Sequence, residues 1–244
     1  MIYTMKKGQV SCGEAIGIIL MDSDYPCPPG VPGNASTFDF PVRYRVVKGA
    51  DMEHLIYNPD QSLADSFLEA GRELVQAGVR AVTGNCGFMI FFQDYLAKEL
   101  PVPTFMSSLL QLPFMSRLLS PGEKIGVITA SMRSLTDKHL EIATRGVDCP
   151  IKVVDMESQK YFYEAIHVQT GELDFEQVER EVVEKALELV NGDDPIGAIL
   201  LECTDLPPYA AAVQEAVKLP TFDVTSMINY VHSTLFRSRF QGFA

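Results

Sequence analysis

Two cysteines occupy matched places in a sequence that repeats itself. Cys86 ends one apolar segment, and Cys203 ends a similar segment 117 positions later. In both copies a Pro-Thr-Phe sequence begins 17 residues after the cysteine, at Pro103 and at Pro220. A buried cysteine is ordinarily an inert small hydrophobe, but two cysteines at the same place in two repeats favour a pair of thiols that act together.

The chemistry that best suits two facing thiols is proton transfer at carbon. One thiolate can remove a proton from one face of a carbon atom while the opposite thiol delivers a proton to the other face. The reference pKa of cysteine, about 8.5, is close enough to neutrality for one partner to be charged and the other neutral. Fixed donors must stabilise the charge that develops on the substrate. We therefore predict two catalytic residues, Cys86 and Cys203, and six substrate-binding residues, Asp22, Asn85, Gly87, Thr129, Ser131 and Thr204.

The elements that would position these residues follow from a repeated pattern of strands and helices. Residues 14–19 match residues 123–128, and each match contains an apolar Ile-Gly strand. Apolar residues at helical spacing then predict one helix that ends at Gly78 and another that runs from Asp174 to Asn191. Each half thus contains strand, connection, strand, helix, cysteine-ending strand, helix and strand, and such alternation predicts parallel sheets.

We predict an α/β fold of two pseudo-symmetric halves, each an open parallel sheet with helices on both faces, with an active-site cleft between them. The first half covers residues 1–120 and carries Cys86, and the second covers residues 121–225 and carries Cys203. Residues 226–244 are predicted to form a C-terminal helix that packs back on the first half. Ligands bind outside the carboxyl ends of parallel strands, where helix N-termini offer N–H groups that bind carboxylates and lower the pKa of a thiol.

The composition limits the classes of function. The 244 residues include 20 Lys plus Arg and 32 Asp plus Glu, a formal net charge of −12, which argues against nucleic acid and anionic membranes as partners. No apolar run approaches the ~20 residues that cross a bilayer and the N-terminus does not resemble a signal peptide, so we expect the cytoplasm.

Five cysteines without a Cys-x-x-Cys pair and four scattered histidines predict no metal site. No dinucleotide or phosphate-loop motif occurs, so we expect no cofactor. We also expect a homo-oligomer that binds a small carboxylate substrate.

One motif resembles a known family. The segment 201–207, Leu-Glu-Cys-Thr-Asp-Leu-Pro, is similar to the second cysteine motif of the aspartate/glutamate racemase superfamily, whose usual form is Leu-Gly-Cys-Thr-(Glu/His)-x-Pro. The segment 85–88, Asn-Cys-Gly-Phe, stands where that family has its first cysteine motif. The resemblance covers nearly the whole chain and implies two α/β halves, one catalytic cysteine from each, and no cofactor. The superfamily includes amino-acid and hydantoin racemases, maleate isomerases and arylmalonate decarboxylases.

The resemblance implies a cofactor-independent racemase or isomerase of a small carboxylate-bearing substrate such as an amino acid. Two departures from the family pattern are that Glu202 replaces a Gly and that the first motif reads Asn-Cys-Gly rather than Cys-Asn-Thr. Asp205 could hydrogen-bond the thiol or cap the following helix. The Pro-rich connection at 22–41 could be a lid or a surface excursion. The alternatives to a racemase are a maleate-type isomerase or a decarboxylase, and a non-catalytic small-molecule binding domain.

Overall fold

The protein contains two four-stranded parallel sheets with helices around them. A computed structural model describes residue 2, residues 4 and 5, and residues 7–242. Its strands are β1 Ile16–Leu20, β2 Val42–Val46, β3 Ala81–Gly84, β4 Thr104–Phe105, β5 Lys124–Thr129, β6 Ile151–Asp155, β7 Ile196–Leu201 and β8 Thr221–Phe222. The order is β2-β1-β3-β4 in one sheet and β6-β5-β7-β8 in the other, with all neighbours parallel. The predicted fold class is confirmed.

Helices connect the strands. They are α1 Ala64–Ala77, α2 Gln93–Glu99, α3 Leu112–Ser116, α4 Asp137–Thr144, α5 Lys160–Phe162, α6 Phe175–Val190, α7 Ala210–Val217 and α8 Val224–Leu235. Gly78 follows α1 with a φ of 106°, a left-handed conformation that favours glycine. The Asp174 side chain accepts a hydrogen bond from the Gln177 backbone N–H (3.1 Å) at the start of α6. Within the described part of the chain, no helix is long and apolar enough to cross a membrane.

Each half ties its cysteine-bearing strand to its first strand in the same way. The backbone N–H of Asn85 donates to the carbonyl of Ile19 (3.0 Å), and that of Glu202 donates to the carbonyl of Ile128 (2.8 Å). In each half the cysteine is the next residue along the chain. Both thiols therefore lie at the carboxyl end of an inner strand, which is the edge of a parallel sheet that binds ligands.

Each half also contains one π-helical turn after its second strand. These turns are Glu53–Tyr57 and Tyr163–His167. They meet where Tyr57 Oη and His167 Nδ1 lie 2.8 Å apart. π-Helical turns are rare and are frequent at functional sites, so this contact marks the region where the halves meet as a candidate site.

Helix α8 returns to the first sheet. Met227 and Ile228 of this helix belong to the same buried cluster as Ile16 and Ile18 of β1. The predicted boundary at residue 120 falls between β4 and β5 and stays a prediction, as do the segment limits 1–120, 121–225 and 226–244. Residues 1, 3, 6, 243 and 244 of those segments lie outside the described residues.

Candidate active site

The two cysteines line one narrow pocket between the two halves. Its free volume is about 20 Å³, which is room for about one water molecule. The first half contributes Met21, Tyr25, Met52, Ile56, Asn85, Cys86, Gly87 and Phe88, and the second contributes Ala130, Ile166, Glu202, Cys203, Thr204 and Asp205. A substrate with several heavy atoms is larger than this space, so side chains of the wall must move when it binds.

Cys86 is the thiol of the first half. It is 7% exposed and directly precedes the 3₁₀ helix Gly87–Phe92. Burial raises the pKa of the thiol and the nearby Glu202 carboxylate raises it further, while backbone N–H groups of Phe88 and Met89 lower it in part. Because the first two effects dominate, Cys86 is protonated at neutral pH.

Cys203 is the thiol of the second half, and it has a carboxyl partner. Its Sγ donates a hydrogen bond to Asp205 Oδ2 (3.6 Å). Burial raises the pKa of this thiol, and the Asp205 and Glu202 carboxylates raise it further. Burial also raises the pKa of Asp205 to about 7, while the pKa of the thiol is raised further, so Cys203 is protonated at neutral pH and donates to this carboxylate. Of the two roles left open for Asp205, the structure shows the contact with the thiol. Leu206 directly precedes the following 3₁₀ helix, which has no side-chain cap.

Glu202 is a functional candidate that the sequence reasoning did not assign. It is fully buried, its Oε2 accepts a hydrogen bond from the Thr129 hydroxyl (2.8 Å), and the nearby backbone N–H of Ala130 lowers the pKa of the carboxylate in part. Its Oε1 is buried without a hydrogen-bond partner in the described structure. Burial raises the pKa of Glu202 to about 7. The carboxylate also explains the glycine at position 87, because a Cβ atom there would overlap Glu202 Oε1. The signal in the sequence was the glutamate in place of the family's Gly.

Of the predicted carboxylate-binding side chains, Asn85 keeps a donor available. Its Oδ1 accepts the backbone N–H of Met21 (2.8 Å), and its Nδ2 makes no hydrogen bond to the residues that the structure describes. Thr204 also lines the pocket, but its hydroxyl donates to the Asn85 carbonyl. Thr129 donates to Glu202. The two threonine hydroxyl protons are therefore already used within the protein.

The structure does not bring two other predicted binding residues to the pocket. Asp22 forms an ion pair with Lys48 Nζ (2.9 Å) and accepts the Gly49 N–H (3.1 Å). Ser131 Oγ donates to Glu157 Oε1 (2.5 Å). Met21 and Ala130, the residues that precede them, line the pocket, but neither Asp22 nor Ser131 is among the lining residues.

The Pro-rich connection at 22–41 supplies part of the wall. Its Tyr25 lines the pocket. Further along, Gly30 has a φ of 112° and approaches Pro208 so closely that a Cβ atom there would lie 2.8 Å from Pro208 Cα. The Gly30 carbonyl also accepts a hydrogen bond from the Thr225 hydroxyl (2.8 Å). The connection therefore reaches across to the second half beside the pocket and is more than a surface excursion.

The pocket is acidic. Of its lining residues in the described chain, none is Lys, Arg or His, whereas two are carboxyls and two are thiols. Burial is the largest cause of the raised pKa of Cys86, Cys203, Glu202 and Asp205 alike. No group of three or more His, Cys, Asp or Glu side chains among the described residues could hold a metal ion.

Comparison with solved structures identifies the fold. Glutamate racemase RacE1 from Bacillus anthracis superposes with a TM-score of 0.57 at 17% identity, over 91% of this chain and 81% of that one. A glycine-to-cysteine mutant of arylmalonate decarboxylase superposes with a TM-score of 0.57 at 14% identity, over 93% of this chain and 96% of that one. The chain therefore shares its fold with a racemase and a decarboxylase, and this fold carries more than one reaction.

Comparison with curated protein sequences gives a more specific result. Dimethylsulfoniopropionate lyase 3 of Emiliania huxleyi is 34% identical over 231 residues, covering 91% of this chain and 60% of that protein. The dimethylsulfoniopropionate lyase of Durusdinium sp. clade D is 34% identical over 224 residues, covering 86% of this chain and 71% of that protein. The chain thus spans about 60% of the length of the Emiliania lyase. No family model matches the sequence.

These relatives correct the predicted activity. A cofactor-independent amino-acid racemase, an isomerase, was expected from the cysteine pair and the motif, but the relatives at 34% identity are named as lyases. The racemases resemble this chain at 17% identity or less and share its fold. The prediction was wrong because the motif marks a superfamily scaffold, and two thiols on that scaffold do not specify inversion at carbon. The chain belongs to the dimethylsulfoniopropionate lyase family.

Proposed function

We propose that this chain is a lyase that cleaves dimethylsulfoniopropionate into dimethyl sulfide and acrylate. The observation that carries the proposal is the relationship at 34% identity to lyases named for that substrate. The pocket supports it, because two thiols and two carboxyls lie at the ends of the inner strands and could move a proton. Elimination needs one proton acceptor and no redox group.

The proposed reaction is a proton abstraction followed by loss of a neutral leaving group. A base takes the proton from the carbon next to the carboxylate, and the electron pair of that C–H bond forms the second bond between the two chain carbons. The C–S bond breaks, and its electron pair leaves with sulfur as dimethyl sulfide. Acrylate remains, and the proton ends on the base, from which it passes to solvent.

Cys203 is the proposed base. Its thiol already donates a hydrogen bond to Asp205 Oδ2, so the thiol proton has an acceptor in contact. Burial and the neighbouring carboxylates raise the pKa of this thiol, and we propose that the positive charge of the bound substrate lowers it again and so favours transfer of the proton to Asp205. The resulting thiolate would face the substrate. Cys86 has no such carboxyl in hydrogen-bond contact, so we propose that it remains protonated and donates to the charge that develops on the substrate carboxylate.

The substrate carboxylate is proposed to bind at the end of β3. The free Nδ2 of Asn85 and the Cys86 thiol lie there, whereas Gly87, also predicted to bind substrate, faces the Glu202 carboxylate. Thr129 and Thr204 would hold other parts of the site in place. Because no Arg or Lys is among the described lining residues, capture relies on hydrogen bonds from the protein.

Several sequence predictions stay predictions. They are the homo-oligomer, the cytoplasmic location, the small carboxylate-bearing substrate, and the exclusion of nucleic acid and membranes. The net charge of −12 remains the physical reason for expecting neither nucleic acid nor anionic lipid.

The test is product formation by the purified chain. We expect dimethyl sulfide in the headspace by gas chromatography and acrylate in solution by NMR, in equal amounts. Cys203→Ser should remove this activity, while Cys149→Ser, which changes a cysteine outside the pocket, should retain it. Absence of dimethyl sulfide above an enzyme-free blank from folded protein would refute the lyase assignment.

A further inference from the structure

We propose that Glu202 holds the positively charged sulfonium group of the substrate and thereby selects small zwitterions. The inference rests on the proposed lyase function and deepens it by assigning the group that recognises the cationic end of the substrate. The proton transfer itself leaves Glu202 unused, since Cys203 and Asp205 supply the base and the acceptor of its proton. A second carboxyl in so small a pocket therefore calls for another role.

The geometry of Glu202 leaves one carboxylate oxygen for a ligand. The side chain is 0% exposed, and its Oε2 is held by the Thr129 hydroxyl (2.8 Å). Its Oε1 is buried, has no partner among the described residues and belongs to a side chain that lines the pocket. An unpaired carboxylate oxygen in the interior is destabilising unless a bound group satisfies it. A bound cation would satisfy it.

The walls around this carboxylate suit the methyl groups of an onium ion. Tyr25 contributes an aromatic ring, and Met21 and Met52 contribute polarisable thioethers. None of the described lining residues is Lys, Arg or His, so the carboxyls of the pocket are the charged groups that a bound cation would contact. A dicarboxylate of similar size would instead place a second negative charge beside Glu202, which electrostatic repulsion opposes.

Asn85 is the residue of the first half that matches Glu202, and its side chain is uncharged. Asn85 precedes Cys86 as Glu202 precedes Cys203. Its side-chain oxygen accepts the N–H of Met21 (2.8 Å), just after β1, and a side-chain oxygen of Glu202 accepts the hydroxyl of Thr129 (2.8 Å), at the end of β5. An amide therefore satisfies the structural need at this position in the first half. The substitution Glu202→Gln should keep the hydrogen bond from Thr129 and remove only the charge.

Binding of a cation should also release protons. Burial raises the pKa of Glu202 to about 7, so part of the protein carries this group protonated at neutral pH. The titratable groups that influence it or that it influences are Asp205, Cys86 and Cys203, and all of them are acids. A neighbouring positive charge favours the ionised form of each acid, so a ligand with a cationic group displaces protons and a ligand of the same shape without that group does not.

The experiment compares two probes that differ in a single atom. They are 3-(trimethylammonio)propanoate and its carbon isostere 4,4-dimethylpentanoate, and their binding is measured by titration calorimetry at pH 7 in buffers of different ionisation enthalpy. The proteins are the unmodified chain, Glu202→Gln and the control Asp223→Asn. Asp223 is a buried carboxyl that caps α8 outside the pocket, and Asn caps a helix as well as Asp does.

We expect the unmodified chain and Asp223→Asn to bind the ammonium probe about ten-fold more tightly than the carbon probe, or better. In both proteins, binding of the ammonium probe should release protons and binding of the carbon probe should not. In Glu202→Gln this preference should fall toward one, while affinity for the carbon probe stays the same or rises. An unchanged preference in folded Glu202→Gln overturns the proposal. Equal affinity and equal proton release for the two probes in the unmodified chain also overturn it, without reliance on any variant.

The same preparations separate this inference from the lyase assignment. Preference for the ammonium probe that depends on Glu202, without release of dimethyl sulfide from dimethylsulfoniopropionate, would support the cation site and refute the lyase. Release of dimethyl sulfide with an unchanged KM in Glu202→Gln would support the lyase and refute the cation site.

Discussion

The ends of β3 and β7 occupy equivalent places in the two halves but carry different side chains. After β3 come Asn85, Cys86 and Gly87, none of which has a carboxyl group. After β7 come Glu202, Cys203, Thr204 and Asp205, with two buried carboxyls. The backbone hydrogen bonds that attach these segments to the first strand of each half are the same. The scaffold is therefore duplicated, while the charges are confined to one half.

This difference separates a lyase from a racemase in physical terms. Inversion at carbon needs an acid and a base that can exchange roles, which two similar thiol environments would provide. Elimination of a neutral leaving group needs one base and a place for a cation. The second half supplies a thiol bonded to Asp205 and an unpaired carboxylate oxygen at Glu202, whereas the first half supplies neutral donors. Asymmetry of charge on a symmetric scaffold fits elimination.

The largest expected effect is on catalysis by the two thiols. Cys203→Ser should lower kcat/KM by about 10²–10⁴-fold, because serine is a far poorer base at the same place. The fold-loss of kcat/KM in Cys86→Ser should be smaller by a factor of about ten or more, because a hydroxyl still donates a hydrogen bond. Dimethyl sulfide release from both variants, with circular dichroism to verify folding, measures the difference. Equal losses in the two variants would show that the halves share the chemistry equally.

The next effect is on stability as a function of pH. The pKa of Glu202 is raised to about 7 by burial, above its ordinary 4.5, so the folded chain binds this proton more tightly than the unfolded chain. Stability from this group is therefore full below about pH 4.5, falls as pH rises to about 7 and is then constant, a loss on the order of 3 kcal/mol. The pKa of Asp205 is also raised, to about 7, so its contribution to stability falls with rising pH in the same direction.

Glu202→Gln should remove the part of the pH-dependent loss of stability that comes from Glu202. At pH 8 the variant should be more stable than the unmodified chain by up to about 3 kcal/mol, and at pH 4.5 the two should be nearly equal. Urea unfolding at both pH values measures this. Because the matching Asn85 is already neutral, the variant makes these two positions alike in charge. The quantity to compare is the stability of the variant minus that of the unmodified chain. If this difference is no larger at pH 8 than at pH 4.5, the buried charge is contradicted.

A smaller effect is expected at the glycine that faces Glu202. Gly87→Ala should destabilise the fold by about 1–3 kcal/mol, because its Cβ atom would overlap the carboxylate and the main chain of Glu202. Gly192→Ala is the control, since a Cβ atom there has only ordinary contacts at 3.5 Å. Thermal unfolding of both variants measures the effect. If the two glycine variants unfold at the same temperature, the close contact between the halves is not present in solution.

The smallest effect concerns the hydrogen bond that crosses between the halves. Thr204→Val should cost about 1 kcal/mol of stability, because its hydroxyl donates to the buried Asn85 carbonyl. Thr104→Val is the control, because the Thr104 hydroxyl bonds only to the nearby Val102 carbonyl (3.1 Å). Denaturant unfolding measures both. A larger loss for Thr104→Val than for Thr204→Val would contradict the bridging role of Thr204.

The fold was predictable because its signals are local and occur twice. The Ile-Gly strands, the cap at Asp174 and the glycine after α1 each depend on near neighbours in sequence. The place of both thiols followed from strand ends in the same way. Those features depend on backbone geometry, which the repeat preserves.

The charges in the site were not predictable in the same way. That the Glu202 carboxylate is buried with one oxygen unpaired depends on contacts between distant segments, such as Thr129 and Gly87. Asp22 and Ser131 are held outside the pocket by contacts with Lys48 and Glu157, which lie 26 residues further along the chain in each case. The reaction depends on these details, so the motif predicted the scaffold correctly and the activity wrongly.

The most direct test of the central claim uses one NMR sample in deuterated water. It contains the purified chain, dimethylsulfoniopropionate, L-glutamate and L-aspartate. Elimination confined to the charged half predicts vinyl signals of acrylate and the methyl signal of dimethyl sulfide in equal molar amounts, with unchanged Cα–H signals of both amino acids. Loss of an amino-acid Cα–H signal without any acrylate would contradict the claim and show that the thiols exchange a proton at carbon without eliminating a sulfide.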